Sequence, residues 1–186
     1  MPKLEPLVTN RTRSQALRIR ELEREISQGI ASEEEIEEFL SNRFEGLSCK
    51  DGTVYVSNGA LQVLTGYDTW KGAYNYTDLN RVGWYMQHLR DLLYQCGIFP
   101  RITEKADWEE GDYNNAAALE YYLSDVQALR SAIAVSSETP EVPESLFQLT
   151  WDSANDIEQI LLDVEELISN MMQAWYYAGD LYAGEV

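Results

Sequence analysis

Three stretches of this chain repeat apolar residues at alternating spacings of three and four, and that pattern restricts the fold more than anything else in the sequence. Leu79, Val82, Met86, Leu89, Leu93 and Cys96 form the first series. Leu119, Tyr122, Val126, Leu129 and Ile133 form the second, and Ile157, Leu161, Val164, Ile168, Met171 and Trp175 the third. Each puts one apolar stripe on one face of a helix, the kind of seam that packs helices at shallow angles within a bundle or between subunits. Ile160, Leu167 and Ala174 add a second strip to the third series, which marks that helix as central. Gly97 and Pro100 are expected to stop the first helix, Pro140 and Pro143 to mark the loop after the second, and Gly179 to end the third near Tyr177. The starts at Thr77-Asp78-Leu79-Asn80, Ala118-Leu119-Glu120 and Asn155-Asp156-Ile157-Glu158 look equivalent. Shared capping chemistry, rather than duplication, is the expected cause.

The expected fold class is all-α: three long helices in a bundle, an N-terminal helical pair and a β-hairpin insertion. Residues 1–10, with Pro2 and Pro6, read as an extended arm. A helix is expected from about Thr12 to Gln28, with Ile19, Leu22 and Ile26 on one stripe and Gly29 at its end. Ser32 followed by Glu33, Glu34 and Glu35 starts a short acidic helix to about Arg43. The segment Thr53–Ser57, then Asn58-Gly59, then Ala60–Thr65 predicts a hairpin, because Asn-Gly accepts the positive φ angles of a type I′ turn. Val56 would then face Leu61 and Val54 would face Val63. The organisation is therefore 1–45 arm and helical pair, 46–70 hairpin insertion, and 71–186 helical bundle.

Length allows one core, or one core with a small appendage: 186 residues, 45% hydrophobic. The net charge of −18 is unevenly spread. Residues 1–24 hold six basic and three acidic side chains, net +3; the remainder holds eight basic against 29 acidic, net −21. No Lys or Arg follows Arg130. Such a surface repels nucleic acid and anionic lipid, so neither is an expected partner. A basic head on an acidic body also suits attraction between copies. No apolar run is long enough to span a bilayer and no signal-peptide core stands at the start, so synthesis in a cytosol is expected. Cys49 and Cys96 fit no metal spacing and read as free thiols.

Chemistry-bearing groups are sparse. His88 is the only histidine and sits off its seam. Cys96 lies two helical turns further, roughly 12 Å along the axis, too far for a thiolate–imidazole pair. Asp107, Glu109, Glu110 and Asp112 form the densest acidic loop, but their spacing fails the calcium-loop pattern. No phosphate-binding glycine loop or nucleophile elbow occurs. The expectation is a protein without enzymatic activity, metal or cofactor. Contact with other molecules falls to the basic N-terminal helix (Arg11, Arg13, Arg18, Arg20), the hairpin (Val54, Val56, Leu61, Val63) and aromatics (Trp84, Trp108, Trp175, Tyr176, Tyr177). Large rigid side chains with polar tips serve protein or sugar recognition.

The segment Lys71-Gly72-Ala73-Tyr74-Asn75-Tyr76-Thr77-Asp78-Leu79-Asn80-Arg81-Val82 reads physically as a helix start, with Thr77 as cap and Asp78 at the positive dipole end. As a string it resembles small proteins encoded among the tail genes of bacteriophages that infect Gram-positive gut bacteria. Asn10-Arg11-Thr12, the Glu-rich helix, the Pro-containing loop, Ala154-Asn155-Asp156-Ile157-Glu158 and the ending Trp175 to Val186 extend that resemblance to nearly the whole chain from about Thr9. Residues 46–69 depart from the family pattern. The resemblance implies a virion structural role, expected at the baseplate, fibre or tail tip with other tail proteins as partners; the helical seams are where self-association, as a trimer, is expected. It implies no activity. Two readings from other classes stand beside it: a small acidic DNA mimic that inhibits a host defence protein, and a carbohydrate-binding module.

Overall fold

The computed structural model describes residues 4, 6–43, 47–50, 53–56, 74–103, 105–109, 112, 115–147 and 149–183. It is mostly helical: α1 (Arg13–Ser27), α2 (Glu33–Arg43), α3 (Tyr76–Gln95), α4 (Ala116–Ala132) and α5 (Trp151–Ala183). Two short antiparallel strands, β1 (Leu47–Lys50) and β2 (Thr53–Val56), pair Leu47 with Val56 and Cys49 with Val54. Strand β1 was not anticipated from the sequence. The expected Asn58-Gly59 turn and the strand carrying Leu61 and Val63 lie outside the described residues.

The three seams account for the main core. Leu79, Val82, Met86, Leu89 and Leu93 from α3 meet Leu119, Tyr122, Val126 and Leu129 from α4 and Ile157, Ile160, Leu161, Val164 and Ile168 from α5. Helix α5 contacts both of the others, as its wide apolar face requires. A separate small core lies between α1 and α2, where Ile19, Leu22 and Phe39 are buried with Ile26 and Ile36 against them.

Local chemistry sets the ends. Thr12 caps α1 in a reciprocal pair with Gln15, and Gly29, at φ 67°, follows its last turn. Ser32 and Glu35 make the expected box at the start of α2. For α3 the cap is Asn75, not Thr77: Asn75 accepts from Thr77 N–H, and Asp78 reaches back to the Asn75 N–H at 2.9 Å. Gly97, at φ 76°, ends α3 as expected.

Helix α5 departs from expectation at both ends. It begins four residues before Asn155, with Thr150 accepting from Ser153 N–H at 3.0 Å. The supposed equivalence of the three helix starts is therefore lost. At the other end the helix continues through Gly179 to Ala183, because one glycine costs only about 1 kcal/mol in a helix. The seam nonetheless leaves the core after Ile168. From Ser169 to Tyr176 every residue except Met171 is exposed, including Ala174 and Trp175.

The connection between α3 and α4 lies tightly on α3. Asn80 brackets the Trp108 backbone with two hydrogen bonds, 2.9 Å to its carbonyl and 2.7 Å from its N–H. The connection passes so close at Gly83 that a Cβ there would stand 2.5 Å from the Lys105 carbonyl oxygen. Buried Asp125 of α4 accepts the Thr103 N–H at 2.9 Å and its hydroxyl as well.

Candidate functional site

Four charged side chains meet beneath the N-terminal arm. Asp78 and Arg81 come from successive turns of α3, Glu158 from the buried face of α5, and Arg11 from the residue pair preceding α1. Arg11 Nη2 stands 3.0 Å from Asp78 and 2.6 Å from Glu158, and Arg81 Nη2 stands 2.5 Å and 2.8 Å from the same two oxygens. Two cations and two carboxylates thus balance one another. Glu158 is fully buried and Arg11 is 3% exposed. The second Glu158 oxygen accepts the Val8 N–H, and Arg11 Nη1 donates to the Val8 carbonyl at 2.6 Å. Asn155 completes the hold with a reciprocal pair to the Arg11 backbone.

Electrostatics fix the protonation of this cluster. Burial pulls the Arg11 guanidinium down, but Glu158 and Asp78 outweigh it and the net shift is upward. Arg81 behaves in the same way. The Tyr74 ring lies 5.2 Å from the Arg11 guanidinium, and its hydroxyl shares a 2.6 Å hydrogen bond with Tyr122. Burial, reinforced by Glu158 and Asp78, pushes the Tyr74 phenol far above its ordinary range, and burial does the same to Tyr122. Both arginines stay charged and both phenols stay protonated across ordinary pH. What this arrangement does is tie the arm to α3 and α5.

Above the cluster runs an open groove of about 600 Å³ between α1 and the 146–154 segment. Leu17, Leu146, Phe147, Leu149 and Trp151 line it, with Arg13 and Arg20 at its α1 side. Leu17 and Phe147 are both more than half exposed, and neither Arg13 nor Arg20 makes an ion pair among the described residues.

Two residues expected at an interface are inside the molecule. Arg11 is the centre of the buried cluster, and the expectation that it contacts a neighbour is corrected: it is 3% exposed, with its Nη atoms held by Asp78, Glu158 and the Val8 carbonyl. Trp108 is 2% exposed, packed edge-on against Tyr122 at 6.1 Å beneath the Lys105 ammonium. It too is removed from the contact set, because Asn80 pulls its backbone onto α3. Lys105 spans Asp107 and Asp112, so the acidic loop carries its own counter-ion. Arg18 is bound to Glu38 at 2.9 Å and to Glu21 at 3.1 Å, linking α1 to α2.

Arg13 and Arg20 are exposed, as are Trp84, Trp175 and Tyr176, the last two at 52% and 71%. Val54 and Val56 lie on β2. Leu61 and Val63 lie outside the described residues, and Tyr177 falls within α5. His88 is half-buried beside α5, its Nε2 3.3 Å from Glu165, whose other oxygen accepts the Tyr85 hydroxyl. Asp78, Arg81 and Glu158 were missed. Charged residues set beside seam positions, such as Glu158 between Ile157 and Leu161, were the available signal. Among the described residues no group of three or more His, Cys, Asp or Glu has metal-holding geometry, and no helix is long and apolar enough to cross a membrane. Compared with known proteins, the chain matches no family model, no curated protein and no solved structure.

Proposed function

We propose that this chain is a non-enzymatic structural component of a phage tail, at the baseplate, fibre or tail tip, working through helix–helix and subunit contacts. The observation that carries the reading is the ordered resemblance to tail-region proteins from about Thr9 to Val186. The helical architecture is compatible with it: a long central helix, an arm tied down by buried charges, and large aromatic side chains left on the surface. In this reading the fold is a three-helix bundle with an N-terminal helical pair and a β-hairpin insertion, divided at 1–45, 46–70 and 71–186. The chain is made in the host cytoplasm and resides in the virion. It contacts other tail proteins and its own copies, needs no cofactor, and binds neither nucleic acid nor membrane.

Quantitative mass spectrometry of purified particles tests this directly. Copies comparable to other tail components, at a multiple of three, support the reading. Presence in infected-cell lysate but absence from particles overturns it. That result would favour a second reading, an acidic inhibitor that mimics DNA, which is supported by the net −21 of residues 25–186 and by the absence of Lys and Arg after Arg130.

A further inference from the structure

Two features at opposite ends of α5 are complementary. At its first turn lies the groove bordered by Arg13 and Arg20. Past Ile168, Met172 and Trp175 continue the buried stripe at spacings of four and three, onto a part of the helix where both are exposed. Tyr176 stands beside them at 71% exposure. By sequence, residues 169–186 carry Asp180 and Glu185 and no Lys or Arg, and a helix C-terminus adds negative dipole charge. One end is therefore apolar with arginines, the other apolar with acids.

We infer that the part of α5 past Ile168 docks into the α1-side groove of a second copy of this chain, placing Met172 and Trp175 against Leu17 and Phe147 near Arg13 and Arg20. This rests on the structural reading above, in taking self-assembly as what the chain does. The occupant cannot be the chain's own helix. Ala154 lines the groove, and Trp175 lies 21 residues further along the same helix, about 32 Å away at 1.5 Å per residue. A groove of about 600 Å³ holds several large side chains, as the tryptophan and methionine require. Donor and acceptor surfaces differ, so two copies can either exchange ends about a two-fold axis and close as a dimer or dock one end each in a heterologous contact. Heterologous contacts propagate head to tail and generate a ring when the rotation closes, or a filament when it does not.

Sedimentation velocity of the full chain over a concentration series tests this, with two variants. One breaks the groove (Arg13→Glu with Arg20→Glu) and one the helix end (Met172→Ser with Trp175→Ser). All four positions are half-buried or exposed, so both variants should melt as the wild type does; Leu17→Glu replaces the first if it does not. The wild type should associate as concentration rises, to a closed dimer if two copies exchange ends and past a dimer if they do not, and less so as salt screens the arginines. Each variant should weaken association by about 30-fold or more, the scale of losing a central tryptophan. An equimolar mixture of the two should form a heterodimer and nothing larger, since such a pair retains one intact interface. A wild type that stays monomeric throughout, or folded variants that associate normally, or a mixture without heterodimer, overturns the inference. The tail reading fails separately: a monomeric chain found in particles defeats only the docking, and a self-docking chain absent from particles defeats only the tail assignment.

Discussion

Replacing Arg11 with alanine removes one of two cations from a buried cluster and leaves both carboxylates in place. Three contacts go at once: 3.0 Å to Asp78, 2.6 Å to Glu158 and 2.6 Å to the Val8 carbonyl. Truncating one partner of a buried ion pair costs about 3–5 kcal/mol, because the other charge stays desolvated without its counter-ion. Arg81 still reaches both carboxylates, at 2.5 and 2.8 Å, so the lower end applies, about 3 kcal/mol. For a chain of this length each kcal/mol shifts Tm by about 2–4 °C, so the expected fall is about 6–12 °C. Thermal melts and urea titrations followed by circular dichroism measure it. Arg18→Ala serves as the control, since the Arg18 side chain is 38% exposed and solvent screening holds the cost of its loss to under about 1 kcal/mol. A second arm uses Arg11→Ala with Glu158→Gln, which restores charge balance and should cost at least about 1 kcal/mol less than the two single changes added together. An Arg11→Ala variant as stable as Arg18→Ala, or strictly additive losses, would refute the account of a coupled cluster.

Three other outcomes follow from contacts already described. Gly83→Ala drives a methyl group to 2.5 Å from the Lys105 carbonyl, and should cost about 1–3 kcal/mol in a urea titration unless the connection shifts. Asp125→Ala orphans the Thr103 N–H and should cost about 1.5–3 kcal/mol, with faster amide exchange around Thr103 as the local readout. Burial, and then Asp152, raise the Asp156 carboxyl above its ordinary range in the folded chain. The folded state then holds more protons than the unfolded one in that window, so stability falls as pH rises through it. Asp156→Asn should therefore raise Tm at neutral pH, with the gain shrinking below the carboxylate range; a pH-independent gain, or a loss, contradicts this.

Much of the helical frame was legible because its causes are local. Apolar residues at three and four specify a stripe whatever lies elsewhere, and Leu79 through Leu93 and Ile157 through Ile168 are buried accordingly. Caps follow short-range rules, although the cap of α3 is Asn75 and not the expected Thr77. The spacing of Asn75 to Asp78 is the capping-box spacing and decides between them. The extent of α5 was harder: the periodic pattern runs to Trp175, but whether a stripe is covered depends on what packs against it. The charged cluster was illegible for a different reason. Arg11 sits in the most basic part of the chain and reads as surface, while the residues that bury it are 67 and 147 positions away. Trp108 is hidden by the same effect, since Asn80, its anchor, lies 28 positions earlier.

The separation of Arg11 from Glu158 also sets an order of events during synthesis. Helices α1 and α2 are neighbours in sequence, so their small core can form as soon as both leave the ribosome. The arm in front of them has no such freedom, because its anchor is made 147 residues later. At about 5–20 residues per second that delay is about 7–30 s. Throughout it Arg11 lacks one of its two carboxylates, and Val8 lacks the acceptor for its N–H. The arm gains its full set of contacts only on a chain translated through Glu158, and a chain terminated before it keeps Arg11 paired with Asp78 alone.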